Sequence, residues 1–229
     1  MPTESLVSFG EGIWWSAAPV RFLGMRLTTT MVVLRLGDGS LLVWSPTALT
    51  PEIRAEVEAL GPVAHLYAPD LFHHLWLGDW AEAFPRARVH APAGLHKKRP
   101  DLRIDRVHGT VPEPAFAGVI DEFPIQGFRL EETPLLYRPA RTLVVADLVH
   151  NVGRPTHPWT AIYTRMMGFY DRIALSRFLR WTAFSDRDAA RRCIDELTAL
   201  PFEGLVVGHG QPLTSAGADA LASAYAWLR

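Results

Sequence analysis

The chain has 229 residues, 48% of them apolar and 21% charged, enough for one domain whose core needs no disulfide to hold it. A net charge of −1, one short basic cluster at residues 97–99 and no run of about 18 apolar residues exclude bulk phosphate binding and a membrane-spanning helix. The lone Cys193 excludes an internal disulfide and a cysteine-rich zinc module, and with no basic-then-apolar leader the expected location is the cytoplasm.

Residues 31–36 and 41–44 are strand-like, and the Gly-Asp-Gly-Ser of residues 37–40 joins them as a hairpin. Thr50 is placed to cap a helix with Pro51 in its first turn, Ile53, Val57 and Leu60 on one face and Gly61 at its end. Residues 63–68 form the next strand. Asp70 is expected to cap a helix running through Trp80, and a short strand follows at 89–91. Residues 92–124, rich in Pro and Gly, read as loops with at most one short strand. Strands return at 135–137 and 143–146, followed by a helical region from 162 to 181 interrupted near Gly168. Ser185 with Asp188 reads as a capping box opening a helix that Pro201 ends. Residues 205–207 are a short buried strand, and Ser215 is placed to cap the closing helix. Local hairpins plus helices with one apolar stripe predict an α+β chain of two packed sheets with helices outside, as a single domain over residues 1–229.

Three apolar strands end abruptly in ligand-type side chains. Residues 63–68 lead to Asp70, His73 and His74; residues 143–146 lead to Asp147, His150 and Asn151; residues 205–207 lead to His209 between Gly208 and Gly210. Strands stopping at one sheet edge can aim such groups at a common point, and imidazoles with a carboxylate suit zinc, iron or manganese. On a strand His73 and His74 would face opposite sides. On the first turn of a helix they diverge by about 100°, so both reach one centre. His65 and His90 lie within strands and read as core or sheet-face residues, while His96, His108 and His157 read as solvated loop residues. Trp14 and Trp15 fit either an exposed apolar patch or burial under the sandwich. No nucleophile elbow, phosphate loop or dinucleotide fingerprint is present, and Cys193 on an apolar helix face reads as inert packing.

From Phe9 to the C-terminal helix, these strand-end motifs resemble the metallo-β-lactamase-like superfamily. Residues 31–39 with Ser45-Pro46, residues 68–74 and residues 185–191 are most similar to an uncharacterised family within it known as DUF4336. The resemblance implies a four-layer αββα sandwich with a metal centre at the edge between the two sheets. Against the superfamily's H-x-H-x-D-H pattern, Pro69 and Leu71 stand where the first two histidines belong, His73 stands at the aspartate and His74 at the last histidine. Glu132 falls near the third histidine position, Asp147 matches the bridging aspartate and His209 the final histidine. What remains of a dinuclear site is one divalent ion, zinc first and iron or manganese as alternatives, held by His73, His74, Asp147 and His209. Four protein donors already close a tetrahedral site, whereas catalytic sites keep a position open. Glu132 or His150, with Asp147, would supply the catalytic groups, as general base or by orienting the ligands. The function implied is a mononuclear metal-dependent hydrolase of a small ester, thioester or phosphoester. The alternative is a catalytically silent ligand- or partner-binding protein, and a redox iron protein ranks last. A small molecule is the expected partner, with no nucleic acid and no membrane.

Overall fold

The computed structural model describes residues 3–228. Its first sheet opens as an antiparallel meander of β1 (Thr3–Gly10), β2 (Ile13–Phe22), β3 (Met25–Arg35) and β4 (Leu41–Trp44). The β3–β4 hairpin lies where the sequence predicts it. β1 and β2 were not predicted, because Gly10, Ala17, Ala18 and Pro19 are weak strand formers, and pairing along the whole length of β3 supplies what their propensity lacks. Pro19 lies opposite Thr28 of β3, and among the described residues the β1 register reaches β2 as far as Ala17.

After β4 the connections become parallel crossovers. β5 (Val63–Tyr67), β6 (Arg88–Ala91) and β7 (Arg106–Val107) extend the sheet in sequence order. Helices α1 (Pro51–Leu60), α2 (Leu77–Ala83) and the short α3 (Leu95–Lys98) are interleaved with them. The Thr50 hydroxyl accepts from Ile53 N at 3.3 Å, so α1 starts at its expected cap. The second sheet runs β11-β10-β9-β8 in space, from β8 (Ile120–Glu122), β9 (Leu135–Tyr137), β10 (Thr142–Val145) and β11 (Gly204–Val207), with β10 and β11 parallel. Between β10 and the chain end come α4 (Pro158–Met167), α5 (Arg177–Thr182), α6 (Arg187–Thr198) and α7 (Gly217–Ala224).

Three apolar clusters define four layers. Val32, Leu34 and Trp44 of the first sheet meet Leu135, Val144 and Val206 of the second between the sheets. Val33, Val43 and Leu66 pack outward against Ile53, Val57 and Trp80 of α1 and α2. Leu143, Val145 and Leu205 pack outward against Ile194, Leu197 and Leu221 of α6 and α7. Each such buried side chain contributes about 1.5–3 kcal/mol, so the αββα sandwich follows from alternation on strands that are apolar on both faces. Trp15 is buried in the inner layer, while its neighbour Trp14 turns to the other face under Arg35.

Several local expectations are corrected. No helix starts at Asp70: residues 70–76 form turns, and α2 begins only at Leu77. Asp70 does accept from Phe72 N and His73 N, but Leu71 N is drawn to Leu130 O, which holds the segment as a tertiary turn. Asp186 rather than Ser185 caps α6, accepting from Ala189 N at 2.9 Å, while the Ser185 hydroxyl donates to Gly127 O. Ser215 caps nothing, because Ala216 in the left-handed region is the N-cap of α7. No helix among the described residues is long and apolar enough to cross a membrane.

Candidate metal centre

The C-terminal ends of parallel strands from both sheets converge on one edge, the usual location of ligand sites in such sheets. The turn after β5 brings His73, the end of β10 brings Asp147 and the end of β11 brings His209. Asp147 Oδ1 lies 3.7 Å from His73 Nε2 and 3.4 Å from His209 Nε2, and the ligand atoms of the three residues all fall within 4.8 Å of one another. Tetrahedral donors on bonds of about 2.1 Å sit about 3.4 Å apart, so a single ion fits between them with little movement.

The other ring nitrogens are already engaged. His209 Nδ1 donates to Thr28 O on β3 at 2.7 Å, and His73 Nδ1 lies 3.0 Å from the Ser45 hydroxyl at the end of β4. Each contact fixes the ring and leaves Nε2 facing the shared point, as outer hydrogen bonds do for metal-ligating histidines. Ser45 holds this position with a φ of 47°, a left-handed conformation that costs a residue with a Cβ about 1–3 kcal/mol. Gly208 is required too: a Cβ there would lie 2.7 Å from His73 Cε1.

Three carboxylates are buried around this point, and none forms an ion pair with Lys or Arg among the described residues. Asp70 lies beneath His73 with Oδ2 unpartnered. Burial and the neighbouring Asp147 push Asp70 up to about 7, and burial with both aspartates raises Glu132 well above the usual carboxylate range. Burial opposes ionisation of Asp147, but the two imidazoles outweigh it and hold it well below that range. Burial likewise opposes charge on His73, yet the carboxylates lift it to about 9. An excess of buried acid around two oriented imidazoles is a donor set suited to a dication.

The predicted site residues separate into two groups. His73, Asp147 and His209 come together. His74 does not: without a helix it points the other way, where Arg99 Nη1 donates to its Nδ1 at 3.4 Å. Three donors then remain, the number at which catalytic sites keep a position open. Glu132 is fully buried, and its two oxygens accept from Ala146 N at 2.7 Å and Asp147 N at 2.8 Å. It fixes the end of β10 and is not among the residues that line the cavity. His150 lines the cavity above the triad, its ring centroid 5.5 Å from that of His209 and its Nδ1 without a partner. Burial, reinforced by His209, lowers it to about 4 and keeps the ring neutral. Asp70, Ser45 and the Thr28 carbonyl were missed as supports of the site. The Asp70–His73 spacing is visible in the sequence, where it predicts a helix cap.

His65, His90 and Glu113 form a second group with ligand atoms equally close. Its hydrogen bonds are closed. Arg106 donates to His90 Nδ1 at 3.3 Å, which leaves the proton on Nε2, facing His65 Nδ1 at 2.9 Å. Arg88 holds Glu113 at 2.6 Å. Two guanidinium groups and a completed chain leave no place for a cation. His108, expected in solvent, is also buried in this region and stacks on Tyr67 at 4.3 Å.

No protein-family model matches the chain, and no curated protein matches its sequence. Solved structures do match in shape. A metallo-beta-lactamase from Pontibacter korlensis superposes with a TM-score of 0.67 at 11% identity, over 97% of each chain. The DIM-1 metallo-beta-lactamase gives 0.67 at 12%, over 96% of this chain and 94% of that one. A metallo-beta-lactamase from Hirschia baltica gives 0.63 at 11%, over 97% of each. The chain has the metallo-beta-lactamase fold.

Proposed function

We propose that the protein is a mononuclear metal-dependent hydrolase of an ester, thioester or phosphoester, with zinc first and iron or manganese as alternative ions. The observation that carries this is the His73–Asp147–His209 triad, with each imidazole oriented from behind and an open side toward a cavity. A divalent ion held there supplies Lewis acidity toward the oxygen of a carbonyl or phosphoryl group. The chain's own residues do the rest. Asp147 and His209 fix the donor geometry, the Thr28 carbonyl holds His209 in the tautomer that exposes Nε2, and the Ser45 hydroxyl orients the His73 ring. His150, neutral and facing the cavity, takes the proton of the attacking water on a ring nitrogen. Water adds to the acyl or phosphoryl centre, the bond to the leaving oxygen or sulfur breaks, and the alcohol or thiol departs with that proton. Glu132 acts at one remove, as a positioning residue for Asp147.

Kinship with the DUF4336 family belongs to the same proposal and is supported by residues 31–39, 68–74 and 185–191. A screen of nitrophenyl acyl and phosphoryl esters with the zinc-loaded protein tests the reading. Turnover that a chelator abolishes, that Asp147→Ala removes and that His150→Gln lowers in kcat is expected. Turnover unchanged in Asp147→Ala would refute it, and no turnover at all would favour the silent binding protein.

A further inference from the structure

The cavity above the triad has a volume of about 360 Å³, within the range of small-ligand sites. Its walls are unlike its floor. Phe22 and Leu27 of the β2–β3 hairpin form one wall, Phe72 and Leu75 of the turn after β5 form another, and Tyr163 and Phe178 of α4 and α5 close the third. Among the described residues that line it, Arg21 is the only Lys or Arg, Asp147 is the only carboxylate, and the other ionisable groups are the histidines of the floor and Tyr163. Phe22, Phe72, Leu75 and Phe178 are between 42% and 55% exposed, so the apolar lining continues out to the rim. Exposed apolar groups gathered around one opening are unusual on a protein that has nothing to bind there.

Two of the walls are also joined. The hairpin turns through Leu23 and Gly24, both at positive φ, and its tip is tied to α4 by a bond from Trp159 Nε1 to Leu23 O at 2.9 Å. Arg26 N donates to the Thr160 hydroxyl at 2.9 Å. The hairpin wall and the α4 wall are thus tied to each other, which lowers the ordering cost set against the apolar area they can bury.

We propose that this cavity binds the apolar acyl group of a neutral carboxylic ester or thioester, with the carbonyl at the triad and the chain running along the Phe22–Phe72–Phe178 walls to the rim. The inference deepens the hydrolase reading and rests on it for the reaction, but not for binding. A phosphoester is disfavoured, because above the triad the walls are apolar and Arg21 is the only Lys or Arg among the described lining residues to grip further phosphoryl oxygens. Depth favours a small molecule over a flat surface, since the reactive side chains sit at the floor and the apolar ones above them.

The test uses two series of equal chain lengths. Binding of 2-hexanone, 2-octanone and 2-decanone, which cannot be hydrolysed, is measured by calorimetry on the full-length protein as purified. Hydrolysis of nitrophenyl hexanoate, octanoate and decanoate is measured on the zinc-loaded protein. Affinity for the ketones is expected to rise about fourfold per methylene. Leu75→Glu and Phe178→Ser, both partly exposed, should weaken that binding at least tenfold, while Val111→Glu, equally apolar but outside the cavity, should leave it unchanged. Affinity independent of chain length, or untouched by Leu75→Glu and Phe178→Ser, overturns the proposal. So does sedimentation with phosphatidylcholine vesicles that Leu75→Glu abolishes when ketone affinity is flat, because the rim then belongs to a bilayer. Chain-dependent ketone binding without ester hydrolysis upholds the cavity assignment and defeats the hydrolase reading. Hydrolysis of all three esters at equal kcat/KM does the reverse.

Discussion

Gly208 has no side chain because the His73 ring fills the space that one would need. An added Cβ would stand 2.7 Å from His73 Cε1 and 2.8 Å from Ala146 O. Neither neighbour has room to yield: the carbonyl belongs to β10's end, and the imidazole is held by Ser45. Gly208→Ala is therefore expected to swing His73 away from Asp147 and weaken zinc binding about 10- to 100-fold, the range seen when a ligand's support is disturbed. Overpacking should cost about 1–3 kcal/mol of stability. Competition with a fluorescent chelator measures the first effect and urea unfolding the second, and wild-type zinc affinity in the variant would contradict the assignment. At this scale the sequence was informative where chemistry and chain direction coincide. His73, Asp147 and His209 each follow an apolar strand, so their convergence was legible. The pairing of His74 with His73 rests on a helix, and because the segment is a turn, His74 lies beside Arg99 instead. Glu132 was visible as an acid near the site. Its work, accepting two backbone N–H groups at a strand end, needs the fold to be seen.

Elements were legible in proportion to their local signals. α1 has a capping threonine, a proline and a terminal glycine, and it forms between them. α4 ends where Gly168 takes the left-handed conformation at φ 79°, and residues 169–176 then separate it from α5. α6 is expected to open at Ser185, and the geometry moves the cap one residue on, to Asp186, by its bond to Ala189 N. Asp186→Ala should cost about 1 kcal/mol and Ser185→Ala no more than a few tenths, read from the urea midpoints of the two variants. Equal losses would return the cap to Ser185. β1 and β2 were not legible because sheet pairing, not the residues of β2, decides that Ala17, Ala18 and Pro19 run extended. Two packed sheets were legible from the hairpins and helix stripes, but the order of strands within them was not, since no local signal tells β10 that its parallel neighbour lies more than 50 residues ahead.

Across the whole molecule, the buried polar network far from the metal centre sets how the fold responds to acid. Burial, with His65 and Arg106 adding to it, pushes His90 down to about 2, and burial with Arg106 pushes His108 down to about 3. Both rings stay neutral in the folded state at pH values where an unfolded histidine, titrating near 6.5, takes up a proton. Below pH about 6.5 the unfolded chain thus binds more protons, and stability falls as pH falls, by up to ~1.4 kcal/mol per pH unit for each ring. Urea midpoints from pH 7.5 to 5 should show this decline. His108→Phe keeps the stack on Tyr67 and removes two buried nitrogens that have no partner. It should be neutral or stabilising at pH 7 and should flatten the acid slope. An undiminished slope in that variant would show that His108 titrates normally.

The most direct measurement is the metal content per chain of four proteins after zinc reconstitution and exhaustive dialysis: wild type, His73→Ala, His209→Ala and His74→Ala. One zinc in the wild type, lost in His73→Ala and His209→Ala but retained in His74→Ala, is the expected result. A wild-type protein that retains no zinc, or a His74→Ala variant that loses it as fully as His209→Ala, would contradict a centre built on His73, Asp147 and His209.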